Sequence, residues 1–292
     1  METIRDAEPA RYPSLNGKSR RQLRRSLCYN CRSPLLSAAV SQTPPQVDHF
    51  SRVAELYATR RPTYPAALFQ AVADHSPALD HVWDCACGNG QASRDLARHF
   101  KRVTATDLSA EQIAAAVPDP RIDYRLAPAH QSGLPDHCLD AVMVAMAIHW
   151  FAGPDFNREL KRVCRPGALL TWIGYRLIQV PVELQPTVDR FYLKVLDPWW
   201  PPQRRHVDAD YQDLPFPGVE MPFPRAWMIE RRWSLEDLLK YVTTWSAIQI
   251  ARRSGVDPLA EFSEELKQLW PNSLAEAVPV SWQVMGRWGY LR

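Results

Sequence analysis

Residues 81–90 read HVWDCACGNG, and residues 102–109 read RVTATDLS. The first stretch predicts a short strand followed by a tight turn at Gly88-Asn89-Gly90, and the second predicts a strand that ends in Asp107. Glycines in such a turn let the backbone approach a ligand without hindrance from a Cβ atom. Because ligands bind at the carboxyl ends of strands in an open parallel sheet, we expect the turn and Asp107 to form one binding site.

Strand-like and helix-like stretches alternate through the middle of the chain. The predicted strands are 81–86, 102–109, 122–129, 139–151 and 168–175, and the predicted helices are 90–100, 110–118 and 156–167, the last closed by Pro166-Gly167. The stretch 139–151 is nearly all apolar, as expected of a strand buried on both faces. The alternation predicts an α/β fold: a Rossmann-like, doubly wound, mainly parallel seven-stranded sheet with helices on both faces.

The flanking segments are predicted to be more helical. Apolar residues at helical spacing between Asp48 and His75 predict two helices joined by a loop over 60–65. Beyond residue 180 we expect two helical pieces within 181–218, a strand over 219–233 interrupted by Pro222 and Pro224, helices over 234–251 and 257–270, and a final strand over 279–291. The helix 234–251 and its flank carry Trp233, Tyr241 and Trp245, which we expect in the core rather than in a pocket.

Three regions follow from this organisation. Residues 1–46 are predicted to be a disordered basic leader, residues 47–180 a cofactor-binding Rossmann-like core, and residues 181–292 a substrate cap with the final strands of the same compact domain. The leader is rich in Arg, Ser and Pro and shows no sustained hydrophobic period. A twin-arginine export signal, a mitochondrial-type leader and translated upstream sequence before a start at Val40 or Val47 all remain open.

Charge and composition narrow the possible partners. The leader holds eight Lys/Arg and three acidic residues, whereas the rest of the 292-residue chain holds 27 basic and 29 acidic residues. A slightly acidic body argues against nucleic acid as a partner, because such proteins carry their excess basic charge on the folded face. The sequence has no uncharged apolar run of about 18 residues, so we expect no membrane association. Both a monomer and a dimer remain open.

The cysteines indicate neither a metal site nor a disulfide framework. Cys28 and Cys31 have zinc-ligand spacing, but no second pair accompanies them. Cys85 and Cys87 lie in the glycine turn, where they serve as small residues. Free thiols are typical of the cytoplasm, which is the location we expect, and we expect no metal.

The residues around the turn favour one kind of nucleotide cofactor. A dinucleotide site requires G-x-G-x-x-G, whereas this chain has Gly88, Gly90 and then Ser93. Asp84 lies directly before the turn, where its charge would repel a pyrophosphate and attract a cation. S-adenosyl-L-methionine carries an ammonium group, a sulfonium and no phosphate. An NAD-dependent oxidoreductase remains the more distant alternative.

These residues resemble a known family over about Asp48 to Tyr175. The motif DCACGNG is similar to the acid-x-Gly-x-Gly-x-Gly motif of class I S-adenosylmethionine-dependent methyltransferases, with Ala86 in place of the first glycine. LDAVMVAMAIHWF and LKRVCRPGALL resemble the fourth-strand motif and the helix and turn before the fifth strand. The segments F-x-x-x-A-x-x-Y, R-P-x-Y-P, HWF and W-S-x-x-x-L-x-x-Y-x-x-T-W-S are similar to the trans-aconitate methyltransferase-like subgroup.

The resemblance implies a set of cofactor-binding residues. Asp107 corresponds to the acid that binds the ribose, and Ala129-His130 falls in the adenine-side loop, where such enzymes often have an acid. The full expected set is Asp84, Ala86, Gly88, Gly90, Asp107, Leu108, Ala129, His130 and Ala145. The implied activity is methyl transfer, with S-adenosyl-L-methionine as the cofactor.

The expected substrate is an anionic small molecule, most simply a carboxylic acid. A carboxylate needs no general base, and a dry aromatic pocket assists a step in which opposite charges neutralise each other. Arg60 and Arg61 are candidates for gripping the carboxylate, and Tyr57 and Tyr64 for closing over the cofactor. His149 is expected to orient the substrate, or to act as a base if the acceptor is a hydroxyl.

The remaining candidates and alternatives complete the expectation. Trp150 and Tyr175 are expected as walls of the substrate pocket. We assign His149, Arg60 and Tyr57 as catalytic and Arg61, Tyr64, Trp150 and Tyr175 as substrate residues. Methylation of a hydroxyl or carbon on a larger metabolite, and a non-catalytic cofactor-binding protein of the same fold, remain alternatives.

Overall fold

The computed structural model describes residues 61–224, 227–271 and 273–292, and a single sheet runs through them. Its strands are β1 (His81–Cys85), β2 (Arg102–Asp107), β3 (Ile122–Leu126), β4 (Leu139–Ala145), β5 (Cys164–Tyr175), β6 (Gly218–Met221), β7 (Met228–Trp233) and β8 (Val278–Leu291). The α-helices are α1 (Ala66–His75), α2 (Gln91–Leu96), α3 (Ala110–Ala114), α4 (Pro154–Val163), α5 (Gln185–Arg190), α6 (Arg204–Asp208), α7 (Leu235–Val242), α8 (Ser246–Arg253) and α9 (Leu259–Leu269). Short 3-10 turns cover Ile148–Trp150 and Asp197–Trp199, and a π-helical turn covers Phe191–Val195.

The strand order is β3-β2-β1-β4-β5-β8-β6, with β7 also paired to β8. Strands β1 to β5 are parallel to one another, and β8 runs antiparallel to β5, β6 and β7. The predicted fold class is confirmed, and β7 adds an eighth strand to the seven expected. The parallel strands bring the ends of β1, β2, β4 and β5 to one edge, where both parts of the candidate site lie.

Apolar side chains fill both faces of the sheet. Every residue of β1 is buried, and so is every residue of β4 except the last. Leu68 and Phe69 of α1 pack on one face, while Phe156 of α4 packs on the other, with its ring 6.0 Å from that of Trp83. Because the side chains on both faces of the sheet are apolar, helices must cover both faces to shield them from water.

The predicted strand over 139–151 ends earlier than expected. β4 stops at Ala145, and Met146 takes a left-handed conformation with φ of 53°. The chain then forms the 3-10 turn that carries His149 and Trp150. These two residues therefore lie on a turn beyond the sheet, where their side chains are free to face a pocket.

Two predicted helices also differ from the structure. The helix over 156–167 ends at Val163, and Pro166-Gly167 lies inside β5, where Gly167 has φ of 77° and the pairing with β4 shifts register. The helix over 234–251 is two helices, α7 and α8. The hydroxyls of Thr243 and Thr244 donate to the carbonyls of Lys240 and Tyr241, each at 2.6 Å, which competes with helix continuation.

The expectations for the C-terminal segment are largely confirmed. The stretch 219–233 forms two separate strands, β6 and β7, on either side of Pro222 and Pro224. Ser234 caps α7 in a reciprocal capping box with Asp237. Among the described residues, no helix has the length and apolarity needed to cross a membrane.

Candidate cofactor and substrate site

The bend after β1 is a run of left-handed residues held in place by Asp107. Ala86, Gly88 and Gly90 have φ of 59°, 55° and 77°. The backbone N–H of Gly88 donates to Oδ2 of Asp107 at 2.8 Å, and the backbone N–H of Ser109 donates to Oδ1 at 2.8 Å. Asp107 thus fixes the glycine bend as well as ending β2.

Asp84 lies fully buried beneath this bend. Its Oδ2 accepts a hydrogen bond of 2.5 Å from the hydroxyl of Ser93. Its Oδ1 has no hydrogen-bond partner within the described part of the chain. Burial raises the pKa of Asp84 to about 7, and the nearby charge of Asp107 adds to this, against the lowering effect of the Ser93 hydrogen bonds. A cation at the bend would stabilise the ionised carboxylate.

Gln112 is a second buried acceptor at the bend, and the sequence did not single it out. It lies on α3 with 3% of its surface exposed, and its Oε1 lacks a partner among the residues described. That oxygen is 3.7 Å from the position that a Cβ atom on Gly88 would occupy. The sequence signal was limited to a polar residue on the short helix that follows Asp107.

The other predicted cofactor residues lie on the loops at the same edge. Leu108 follows Asp107 and is 58% exposed. Ala129 is half-buried and His130 exposed on the loop after β3, while Ala145 is the half-buried last residue of β4. The loop after β3 is anchored at Ser132, whose backbone N–H and hydroxyl donate to Oε1 of Glu159 at 2.8 and 2.5 Å.

A cleft opens beyond β4 and β5. Four of the predicted residues line it together: Arg61, His149, Trp150 and Tyr175. Other lining residues were not predicted, among them Met146, Tyr192, Trp200 and Arg204. Tyr241 and Trp245 were expected in the core rather than in a pocket. Both are buried in the core as expected, and they also line the cleft.

Arg61 is held at the cleft by two long-range hydrogen bonds. Its Nη1 donates to the hydroxyl of Tyr175 at 2.9 Å, and its Nη2 donates to the carbonyl of Thr244 at 3.1 Å. The break between α7 and α8 leaves this carbonyl available to Arg61. The ring of Tyr64 lies 6.0 Å from that of Tyr175, so Tyr64 packs behind the cleft and is not among its lining residues.

Arg204 provides a second guanidinium group. Its Nε donates to the hydroxyl of Tyr192 at 2.7 Å, and its guanidinium lies 5.2 Å from the ring centre of Trp200. Asp208 accepts a hydrogen bond of 2.7 Å from the Tyr192 hydroxyl and forms an ion pair of 3.4 Å with Arg204. These contacts orient the cation on the cleft wall.

His149 is buried, and the positive charges of both Arg204 and Arg61 act on its imidazole. It is 8% exposed, and its ring is stacked at 12° on Tyr211 with the centroids 6.2 Å apart. Its Nδ1 has no partner in the part of the chain that is described. Burial first, and then the positive charges of Arg204, His206 and Arg61, lower its pKa to about 3, so the imidazole is neutral.

The charged side chains that line the cleft are arginines. None of the described residues that line it is Asp or Glu. The described residues also contain no group of three or more His, Cys, Asp or Glu able to hold a metal ion. The predicted residues Tyr57 and Arg60 lie outside the described residues.

Comparison with known proteins identifies the class. Residues 83–171 match a family model described as a methyltransferase domain. A Dictyostelium discoideum protein named as a methyltransferase is 31% identical over 225 residues, which cover 75% of this chain and 85% of that protein. A solved structure described as a type II methyltransferase from Anaeromyxobacter dehalogenans is 42% identical, with a TM-score of 0.72, and covers 79% of this chain and 97% of that one.

More distant relatives carry specific activities in their names. The malonyl-[acyl-carrier protein] O-methyltransferase of Pectobacterium atrosepticum is 31% identical over 149 residues. That match covers 47% of this chain and 59% of the relative's length.

The chain therefore belongs to the class I S-adenosylmethionine-dependent methyltransferases. Its cofactor is S-adenosylmethionine. The bend fits a cationic ligand, because Asp84 and Gln112 each present a buried oxygen without a partner among the described residues, and Asp84 has a carboxyl that a cation would ionise. A pyrophosphate would meet two acceptors and no cation there.

Proposed function

We propose that this chain methylates the carboxylate of an anionic small molecule by in-line transfer from S-adenosylmethionine. The observation that carries the proposal is the cleft, which presents the guanidinium groups of Arg61 and Arg204 and no acidic side chain among its described lining residues. Two oriented cations in a partly buried cleft attract a carboxylate and repel a cation.

The side chains of the cleft would act by binding and orientation. The cofactor, when bound, supplies an activated methyl group. Arg61 and Arg204 would hold the acceptor carboxylate, and their own hydrogen bonds keep them in place before it arrives. The rings of Trp150 and Tyr175 would exclude water from the step in which opposite charges neutralise. No side chain has to remove a proton, because the acceptor is already ionised.

The bend after β1 would hold the cofactor. Asp84 and Gln112 would accept hydrogen bonds from its cationic end or its hydroxyls. Asp107, which ends β2 beside the bend, would accept hydrogen bonds from the ribose hydroxyls. Leu108, Ala129, His130 and Ala145 would surround the adenosine from the loops at the same edge. Ala86 and the two glycines would supply the close backbone approach.

A second candidate function is methylation of a hydroxyl on a larger metabolite. It is supported by His149, whose Nδ1 is buried without a partner among the described residues and whose imidazole is neutral. A neutral imidazole in reach of a hydroxyl is the form that accepts its proton.

Narrower assignments also remain proposals. The similarity to the trans-aconitate methyltransferase-like subgroup supports a small acidic acceptor. The described cysteines Cys85, Cys87, Cys138 and Cys164 are free, which supports a reducing cytoplasmic location. We also keep the division into a cofactor core to residue 180 and a substrate cap beyond it.

The test is to incubate the protein with S-adenosylmethionine labelled in its methyl group and a panel of carboxylic acids, each paired with its amide. We expect label in the acids alone, in a product that mild alkali hydrolyses. A methyl ester behaves in this way, whereas an ether or a carbon–methyl bond survives alkali. Alkali-stable product would support the hydroxyl alternative and contradict the proposal.

A further inference from the structure

The tyrosines of the cleft direct their hydroxyl groups to internal partners. The hydroxyl of Tyr175 accepts from Arg61 at 2.9 Å, and that of Tyr241 accepts from the indole N–H of Trp282 at 3.1 Å. The hydroxyl of Tyr192 donates to Asp208 and accepts from Arg204, both at 2.7 Å. These residues therefore offer a ligand mainly the faces and edges of their rings.

The rings form one continuous aromatic wall, which we define as Tyr192, Trp200, Tyr241 and Trp245. The ring centroids are 4.8 Å apart for Tyr192–Trp200, 5.9 Å for Trp200–Trp245 and 5.8 Å for Tyr241–Trp245. The indole N–H of Trp200 donates to the backbone carbonyl of Tyr192 at 3.1 Å, so its polar atom is also engaged. The ring planes are tilted by 50° for Tyr192–Trp200, 42° for Trp200–Trp245 and 88° for Tyr241–Trp245, so the wall presents separate ring faces and edges. A flat, unsaturated partner can stack on such a face or meet such an edge.

The charges of the cleft limit how many carboxylates it can bind. Arg176, a third arginine on the lining, is already bound by both oxygens of Asp210 and by Gln283. Asp208 partly neutralises Arg204. When one carboxylate engages both Arg61 and Arg204, a further carboxylate on the same ligand lies against ring faces, and an unpaired charge in such surroundings is costly.

We propose that the acceptor is a monocarboxylic acid with a flat unsaturated body, an aryl or conjugated alkenoic acid, held between the aromatic wall and the guanidinium groups of Arg61 and Arg204. The inference rests on the proposed function, because it assumes that the anion in this cleft is the acceptor. It goes further by specifying that the acceptor has a flat, unsaturated carbon skeleton and a single carboxylate.

The test is equilibrium binding, measured by calorimetry on the full chain with S-adenosylhomocysteine present. The probes are benzoate, cyclohexanecarboxylate, benzamide and benzene-1,3,5-tricarboxylate. We expect benzoate to bind about tenfold more tightly than cyclohexanecarboxylate, the effect of roughly one aromatic contact, and more tightly than the tricarboxylate. Benzamide is expected to bind weakest.

The outcomes separate the two proposals. One contradicting result is that benzoate and cyclohexanecarboxylate bind equally well and both better than benzamide; another is that the tricarboxylate binds best. Either result would show that the proposal of a flat monocarboxylic acceptor is wrong, while the proposed carboxylate methylation would stand. If benzamide binds as well as benzoate, or if none of the carboxylates binds, the carboxylate function itself is wrong.

A matched pair of variants locates the preference. Trp200→Leu is expected to bring the ratio of the benzoate and cyclohexanecarboxylate affinities close to one, while Trp200→Phe largely keeps it. Trp199→Leu is the control, because Trp199 is the neighbouring indole and does not line the cleft. An unchanged ratio in folded Trp200→Leu would overturn the role of the wall, and the wild-type ratio tests the proposal even if that variant does not fold.

Discussion

The Nε atom of Arg204 donates a hydrogen bond of 2.7 Å to the hydroxyl oxygen of Tyr192. The same hydroxyl donates to Asp208, so a chain of three side chains fixes the guanidinium group on the cleft wall. Both Phe191 and Tyr192 lie on the π-helical turn, where the ring of Phe191 stacks on Phe262 with centroids 3.9 Å apart and Tyr192 lines the cleft. Arg204 is therefore oriented before any ligand arrives.

Removing the guanidinium group of Arg204 should weaken binding of the carboxylate acceptor. Arg204→Met is expected to raise KM for a carboxylate acceptor about 10- to 100-fold, as expected for loss of one charged hydrogen bond of roughly 1.5–3 kcal/mol. Steady-state kinetics on the acid found by the labelling experiment measures this. Arg205→Met is the matched control, because Arg205 is the exposed neighbour on α6. Equal KM values for the two variants would contradict the role of Arg204.

Cofactor binding should release a proton through Asp84. The pKa of this buried carboxyl is raised to about 7, so at pH 6.5 a large part of it is protonated in the free protein. A cation at the bend lowers that pKa and displaces the proton. Calorimetry of S-adenosylmethionine binding at pH 6.5, in two buffers of different ionisation enthalpy, measures the proton balance.

The control for this prediction is Asp84→Asn, which keeps an acceptor for the Ser93 hydroxyl and removes the titrating group. The variant is expected to release fewer protons than the wild type under the same conditions. If both proteins show the same proton balance, the cation does not lie next to Asp84.

Ala86 is in a conformation that glycine adopts more readily. With φ of 59°, the strain of an alanine there destabilises the folded state by about 1 kcal/mol or more. This strain is larger than the stabilisation that alanine gains over glycine from a less flexible unfolded chain. Ala86→Gly is expected to raise the free energy of unfolding by up to about 1 kcal/mol and to leave cofactor affinity intact. Ala92→Gly, inside α2, should instead lower it by about 1 kcal/mol. Denaturant unfolding of both variants decides the matter.

Acid should destabilise the protein partly through His149. Its pKa falls from an ordinary 6.5 to about 3 on folding, so below pH 6.5 the unfolded chain binds a proton that the folded chain does not. This contribution to stability is complete above pH 6.5 and is lost as the pH falls towards 3. His149→Phe is expected to lose less stability between pH 7 and pH 5 than the wild type. Identical losses in denaturant titrations would show that His149 is not buried as a neutral group.

The cofactor half of the site was predictable because its chemistry is local in the sequence. Asp84, Gly88 and Gly90 lie within seven residues, and Asp107 ends the next strand, so strand periodicity alone places them at one edge. What the sequence did not indicate was that Asp107 holds the bend through Gly88, or that Gln112 faces it, because both depend on how α3 packs.

The substrate half was only partly predictable. Arg61, His149, Trp150 and Tyr175 were expected and do line the cleft, whereas Arg204 and Tyr192 come from a Pro- and Trp-rich segment without clear periodicity. Tyr241 and Trp245 were expected in the core, where they do lie, and their second role on the cleft lining was not predicted. The threonine hydroxyls that bond back to the preceding turn mark the break between α7 and α8 beside them.

The most direct test is a crystal structure of the full chain with S-adenosylhomocysteine and benzoate. We predict that the ribose hydroxyls lie within hydrogen-bond distance of Asp107, that the amino group lies near Asp84, and that the benzoate carboxylate contacts Arg61 or Arg204. A nucleoside bound away from the bend after β1, or a benzoate bound outside the cleft, would contradict the account.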